Sequence, residues 1–453
     1  MTTKLFKMTA EMATGYMESL TTRPVAPSEQ AVAATTAFDG PLPEDGTDPE
    51  EVIRTLHTLG TPATIAMAGP RFFGFVIGGA LPVSVAANWL ATAWDQNTGS
   101  YLTAATSVPE QVALKWLLEL LHLPMESAVG FVTGATVANF TALAAARHSV
   151  LKRAGWNVEE EGLCGAPEIK VVVGREFHPS VMKSLTMLGF GRNRLIRCPV
   201  DGQGRMIPDR LPILDGPAIV CTQAGNINTG AFDPIGEIAD RVHRSGGWVH
   251  VDGAFGLWAA ATPTRSHLTA GMERADSWAT DGHKWLNLPF DSGFAFVRDA
   301  EAMGTALAIT AEYLPPPGEK RFPANFTPEL SRRARGVDAW AAIRHLGRKG
   351  VAAMIERCCR HATRFAEGLS EAGFEILNEV VLNQVLVSFG SPERTDRIID
   401  RIQKDGTCWC GGTDWQGRHA MRISICSWMT TEADVEMSLE AMIRAANSEP
   451  ERP

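Results

Sequence analysis

A chain of 453 residues, 45% hydrophobic and 21% charged, can form two or three packed units and has an ordinary composition for a globular protein in water. A formal net charge of −9 with no long Lys/Arg block disfavours nucleic acid or an anionic membrane as partner. No segment approaches the ~18 consecutive apolar residues of a membrane span, and the opening "MTTKLFKMTAEMATGYMESL" lacks signal-peptide features, so a soluble, cytoplasmic protein is expected.

In chain order, residues 1–60 read as a helical arm broken by the loop "GPLPEDGTDPE". Two helical patterns follow, "LPVSVAANWLATAWDQ" and "PEQVALKWLLELLHL". Short apolar strands then alternate with amphipathic helices. The strand candidates are "AVGFVTG", "IKVVVG", "NRLIRCPV", "AIVCTQAG", "GWVHVDG", "DSWATDG" and "GFAFVRD". Such alternation predicts an α/β domain over 61–315 with a mostly parallel sheet covered on both faces. The Pro-rich "EYLPPPGEKRFPANFTPEL" leads to a small C-terminal α+β domain over 316–453. There a long helix with an internal break precedes the strands "EILNE", "QVLVSFG" and "AMRISICSW". The eight cysteines show no CxxC spacing, so reduced thiols and no metal are expected.

In a parallel sheet, ligands bind outside the carboxyl ends of the strands. Four features lie there. In "GFVTGATVANFTAL", Thr133, Gly134, Ala135 and Thr136 join a strand to a helix; free N–H groups and the helix dipole attract an anion there, although Thr136 as a plain N-cap also fits. His178 follows "IKVVVG". Asp252 closes the apolar strand "GWVHVDG", where a carboxylate needs a cation or donor, or else simply caps the next turn. Lys284 follows "DSWATDGH" in an apolar setting. One ligand suits an anion cradle, a flat imidazole, a carboxylate and a desolvated amine together: pyridoxal 5′-phosphate.

"HVDGAFG" followed by "DSWATDGHKWLNLPFDSG" strongly resembles the group II pyridoxal-phosphate-dependent amino acid decarboxylases. "GPRFFGFVIGG", "GATVAN", "FHPS", "QAGNINTGAFDPIGEIA", "SRRARGVDAWAAIRHLG" and "RISICSWMTTEADVEMSLEAM" extend the likeness in the right order. The resemblance implies the aspartate-aminotransferase fold (fold type I) and a homodimer with shared active sites. It implies that Lys284 forms the internal aldimine beside His283, that Asp252 pairs with the pyridine nitrogen, and that Ala254 and His178 cover the two ring faces. Gly134, Ala135 and Thr136 match the phosphate-binding turn. Lys284, His178 and Asp252 are then the catalytic set. The substrate pocket maps to Phe73, Phe75, Gln96 and Asn97, and Arg332, Arg333, Arg335 and Arg422 are anion-holding or ion-pair residues.

Two departures stand out. The family's glutamate in the phosphate turn is Val137 here. The loop 315–330, where many relatives carry a proton-donating tyrosine, has none; Phe322 lies near its place. The expected reaction is release of CO2 from the Cα of an amino acid. Carbon–carbon lyase (aldolase) and aminotransferase chemistry are the alternatives on the same fold.

Overall fold

A computed structural model describes residues 2–100, 102–309 and 321–449. They form two compact units. The larger comprises Gly78–Thr363 and Asn378–Val385; the smaller comprises Met1–Ile77, Arg364–Leu377 and Leu386–Pro453. Residues 61–77 and 316–363, with the short stretch 378–385, thus group differently from the division at 60 and 315 drawn along the sequence. Contacts distant in sequence explain both. The Arg332 guanidinium forks onto Glu110 (2.7 and 2.8 Å) and Arg335 meets Asp291 at 2.9 Å, which ties the start of the helix Arg335–Glu371 into the larger unit. In the smaller unit, Arg71 bonds the carbonyls of Thr21 and Thr407 and the carboxylate of Asp434.

The larger unit holds seven strands: β1 (Ala128–Val132), β2 (Lys170–Gly174), β3 (Ile196–Cys198), β4 (Ala218–Gln223), β5 (Trp248–Asp252), β6 (Ser277–Asp281) and β7 (Gly293–Val297). Their order is β1-β7-β6-β5-β4-β2-β3. All run one way except β7, which pairs antiparallel with β1 and β6. The α/β, fold-type-I architecture expected from the sequence is what forms. Every residue of β1, β4, β5, β6 and β7 is buried, which is why these strands read as apolar runs. On one face lies the helix Ala135–Arg153. Its Ala138, Ala142, Ala145 and Ala146 are small enough for close approach to Val132, Val173 and Ile219.

A second, four-stranded sheet contains β8 (Glu375–Ile376), β9 (Gln384–Ser388), β10 (Gly411–Trp415) and β11 (Arg418–Ser424), in the order β10-β11-β9-β8. The strand β10 was not legible, because "GGTDW" opens with two glycines and is half exposed. Its partner is set by the turn: Gln416 and Gly417 both have positive φ (48° and 82°), the two-residue geometry that suits a hairpin's twist. The helix Arg335–Glu371 carries the expected internal break at Gly347, whose φ is 60°.

Candidate active site

The carboxyl ends of β1, β2, β4, β5 and β6 share one edge of the sheet. Past β1, Gly134 precedes the helix Ala135–Arg153, whose first N–H groups have no partner within the helix. The Ala135 N–H donates to Asp281 Oδ1 at 2.5 Å. A Cβ on Gly134 would come within 3.0 Å of His283 Cε1 and 3.1 Å of Asp281 Oδ1, so glycine is what lets the turn and the lysine segment approach.

Asp281, the last residue of β6, is the hub of that approach. Its Oδ2 lies 3.1 Å from Lys284 Nζ, and His283 Nε2 lies 3.4 Å from Oδ1. Trp258 Nε1–H fixes its main chain by donating to the Asp281 carbonyl at 3.1 Å. His283 Nδ1 accepts the Ser292 N–H at 3.2 Å, so a neutral ring carries its hydrogen on Nε2, toward Asp281. Burial lowers the His283 pKa, with Asp281 opposing and Lys284 adding to the shift. The ring stacks on Phe290 at 4.4 Å, and the Lys284 amine stands 5.8 Å above the Phe255 ring.

Asp252 ends β5 and is 5% exposed. Burial pushes its carboxyl up to about 6; Lys284 opposes this, Asp281 adds to it, and the Ala254 N–H and the Asn139 amide oppose it. Ala254 N–H donates to Asp252 Oδ1 at 3.3 Å. The Lys284 amine, the Asp252 and Asp281 carboxylates and the Ala135 N–H therefore form one electrostatically coupled group.

His178 stands at the end of β2 as N-cap of the helix Pro179–Met187. Its Nδ1 accepts the Ser180 N–H at 3.2 Å and lies 2.7 Å from the Ser180 hydroxyl. The preceding Glu176 carbonyl accepts from Gln223 (3.0 Å) and Asn226 (3.2 Å), which ties the exit of β2 to that of β4. Thr136 lies in the first turn of the helix Ala135–Arg153, and its carbonyl accepts the Ser184 hydroxyl at 2.8 Å.

The residues expected to meet substrate are placed differently from one another. Phe73 is buried in the smaller unit, edge-on to Phe365 at 5.1 Å. Phe75 is 58% exposed in a left-handed conformation (φ 52°), with its ring 5.6 Å from Trp409. Gln96 donates to the Trp94 carbonyl. Asn97 Oδ1 accepts from Gly99 and Arg332 N–H groups while its amide reaches Ser331. Arg332, Arg333 and Arg335 pair with Glu110, Asp338 and Asp291. Burial lowers the Arg422 pKa to about 10. Of the loop 315–330, residues 315–320 lie outside the described residues, as do Tyr101 and Tyr313; in 321–330 stand Phe322 and Phe326.

Asp281, Asn139, Gln223 and Asn226 were not singled out in the sequence. The signal for Asp281 was present, three positions before Lys284 in "TDGHK".

The half-buried amine, the helix-start turn and the buried carboxylate fit pyridoxal 5′-phosphate. So does the buried Asn139 Nδ2, a donor with no hydrogen-bond partner in the chain. A mostly parallel sheet with this set at its carboxyl edge defines a pyridoxal-phosphate enzyme of fold type I. The solved structures agree on the fold. Oryza sativa TDC with PLP and tryptamine superposes with a TM-score of 0.91 at 22% identity over 99% of this chain and 98% of that one. Mouse CSAD in apo form gives 0.88 at 21% identity, over 98% of each.

The pyridoxal-dependent decarboxylase conserved domain matches residues 34–390, and the chain belongs to that family. An L-2,4-diaminobutyrate decarboxylase of Rhizobium meliloti is 31% identical, covering 89% of this chain and 83% of the relative. An aromatic-L-amino-acid decarboxylase of Bacillus atrophaeus is 29% identical, covering 73% and 70%. A tryptophan decarboxylase 1 of Oryza sativa is 25% identical, covering 94% and 90%. The chain is a pyridoxal-phosphate-dependent amino acid decarboxylase, a carboxy-lyase.

Proposed function

We propose that this chain removes CO2 from an aromatic L-α-amino acid, with Lys284 as the cofactor-holding amine and Asp252 as the partner of the cofactor's ring nitrogen. The observation that carries the assignment is the coupling of Lys284 Nζ, Asp281 and Asp252 at the carboxyl ends of β5 and β6. When bound, pyridoxal phosphate supplies the electron sink for the bond that breaks. Asp252 sets negative charge against the ring nitrogen. The amides after Gly134 favour the phosphate, and His178 and Ala254 would flank the ring. Phe290 supports the aromatic class: 59% exposed, it stacks on His283 beside Lys284. The names of two of the relatives point the same way.

The tyrosine-free loop 315–330 favours a second reading, in which loss of CO2 is joined to loss of the amine. Incubating the cofactor-loaded protein with aromatic, acidic and diamino acids, and measuring CO2, amine and aldehyde, tests both. CO2 with amine from aromatic substrates supports the first reading, and aldehyde with CO2 the second. Turnover of diamino or acidic substrates alone would overturn the aromatic assignment.

A homodimer in the cytoplasm completes the proposal. Trp89, Leu90 and Trp94 on the helix Pro82–Trp94 are 43–56% exposed, an apolar face of the kind a second copy covers. Seven of the eight thiols are buried and none forms a disulfide, which suits a reducing compartment.

A further inference from the structure

Trp248, His250 and Asp252 alternate along β5 and so project from one face of the sheet. Ser277 of β6 is the register partner of His250, and the helix Ala135–Arg153 brings Asn139 to the same place. All five side chains are at most 5% exposed. Trp248 Nε1 lies 2.9 Å from Ser277 Oγ, Ser277 Oγ lies 2.9 Å from His250 Nδ1, and His250 Nε2 lies 2.8 Å from Asn139 Oδ1.

The direction of these bonds follows from donor chemistry. An indole N–H only donates, so Ser277 accepts from Trp248 and its own hydrogen is free for His250 Nδ1. With Nδ1 accepting, the neutral imidazole carries its hydrogen on Nε2 and donates it to Asn139 Oδ1. The carboxamide thus held presents Nδ2 toward Asp252. That Nδ2 is buried and has no hydrogen-bond partner in the chain, and the Asn139 amide is close enough to lower the Asp252 pKa. Burial is the one cause acting on His250, holding its pKa at about 3, so the ring stays neutral.

We propose that Trp248, Ser277, His250 and Asn139 form a one-way hydrogen-bond chain that fixes the Asn139 amide with its unpartnered Nδ2 on the Asp252 side, which makes His250 and Asn139 positioning residues for the partner of the cofactor's ring nitrogen. This rests on the role given to Asp252 above. The other groups that bear on Asp252 are Lys284, Asp281, the Ala254 N–H and the Cys221 thiol of β4. Asn139 is the neutral side-chain donor among them. A hydrogen bond to a buried charge is worth enough to move its protonation by about one pH unit.

Two measurements test the chain. In cofactor-free wild-type protein labelled with 15N-histidine, NMR should show His250 as the neutral Nε2–H tautomer from about pH 5 to about pH 9. An Nδ1–H tautomer, or an imidazolium titrating in that range, would overturn the proposal. Pyridoxal phosphate is then titrated into wild type, Asn139→Leu, His250→Leu and His250→Gln across the same range, read by visible absorbance. The two leucine variants should bind about tenfold more weakly near pH 6.5 and approach wild type near pH 8.5. His250→Gln, which keeps a donor amide within reach of Asn139, should stay within about twofold. Weakening equal at every pH, or none, would reduce these residues to packing. A wild-type protein that takes up no pyridoxal phosphate would fail the cofactor assignment instead, and the tautomer result would still decide the chain.

Discussion

Asp281 and Lys284 form an ion pair at 3.1 Å whose carboxylate faces two ways: its second oxygen accepts the Ala135 N–H at the start of the helix Ala135–Arg153. The Asp281 side chain is 4% exposed and that of Lys284 15%. One residue therefore joins the amine to the turn after β1, whose Ala135 N–H it occupies.

Removing the amine should be felt twice. Lys284→Ala is expected to abolish the visible band of bound pyridoxal phosphate. It also leaves Asp281 buried without its cation, a change that costs on the order of 3 kcal/mol in comparable settings. Absorbance after reconstitution, together with a cofactor-free thermal melt, checks both; an unchanged band would refute the role of Lys284.

Asp281→Asn keeps an oxygen for the Ala135 N–H but removes negative charge from the turn. Pyridoxal phosphate should bind several-fold tighter at low salt, with the gain shrinking as ionic strength rises. Equilibrium titrations at two salt concentrations decide it. Weaker binding would mean that the charge on Asp281 is needed to orient Lys284.

The raised carboxyl of Asp252 gives a pH dependence of defined sign. Its pKa moves from the ordinary 3.8 to about 6, so the folded chain holds a proton the unfolded chain has released. The stability from this group is complete below the unfolded value and is lost as pH rises through about 6. Cofactor affinity should run the opposite way, rising as the carboxylate forms. In Asp252→Asn both dependences should flatten, and turnover should fall about 10²–10³-fold, the scale for losing one positioned charge. Melting temperatures and cofactor titrations between about pH 4.5 and about pH 8 test the pair of trends.

The side chains of Glu110 and Arg332 are each 1% exposed and meet through two bonds, with Arg321 3.5 Å from the same carboxylate. Arg332→Met should destabilise the chain by about 3 kcal/mol, because it leaves the buried Glu110 carboxylate with only the longer Arg321 contact. The double variant Arg332→Met with Glu110→Leu should recover part of that loss. Urea denaturation of the three proteins measures the coupling; additive losses would show that the pair is not the cause.

The exposed tryptophans of the helix Pro82–Trp94 make the assembly testable. Trp89→Glu with Trp94→Glu should convert a dimer to a monomer by light scattering. A monomeric wild type would remove the dimer from the proposal.

Much of this molecule was legible before folding. The strand endings that carry Gly134, His178, Asp252 and Lys284 could be found because buried parallel strands read as apolar runs and ligands gather at their carboxyl ends. His250 was within reach as well: it sits two residues before Asp252, on the same face of a strand already recognised. Asn139 was not. It lies in the second turn of a helix whose pattern shows only that it is buried, and no spacing shows that its amide meets His250. The strand β10 was hidden by its glycines. Phe73 looked like pocket lining but packs edge-on to Phe365 in a core.

The sequence by itself determined the architecture through the periodicity of burial, suggested the cofactor through the side chains at the strand ends, and gave the family through the resemblance of "HVDGAFG" and "DSWATDGHKWLNLPFDSG", all of them local properties. Tertiary structure alone decided what those groups touch. The contact of Asp281 with Ala135 spans 146 positions, that of His250 with Asn139 spans 111, and that of Arg332 with Glu110 spans 222. Such contacts are fixed by strand order, register and the seating of a helix on the sheet. Those are outcomes of packing the whole chain, and no short stretch of residues specifies them.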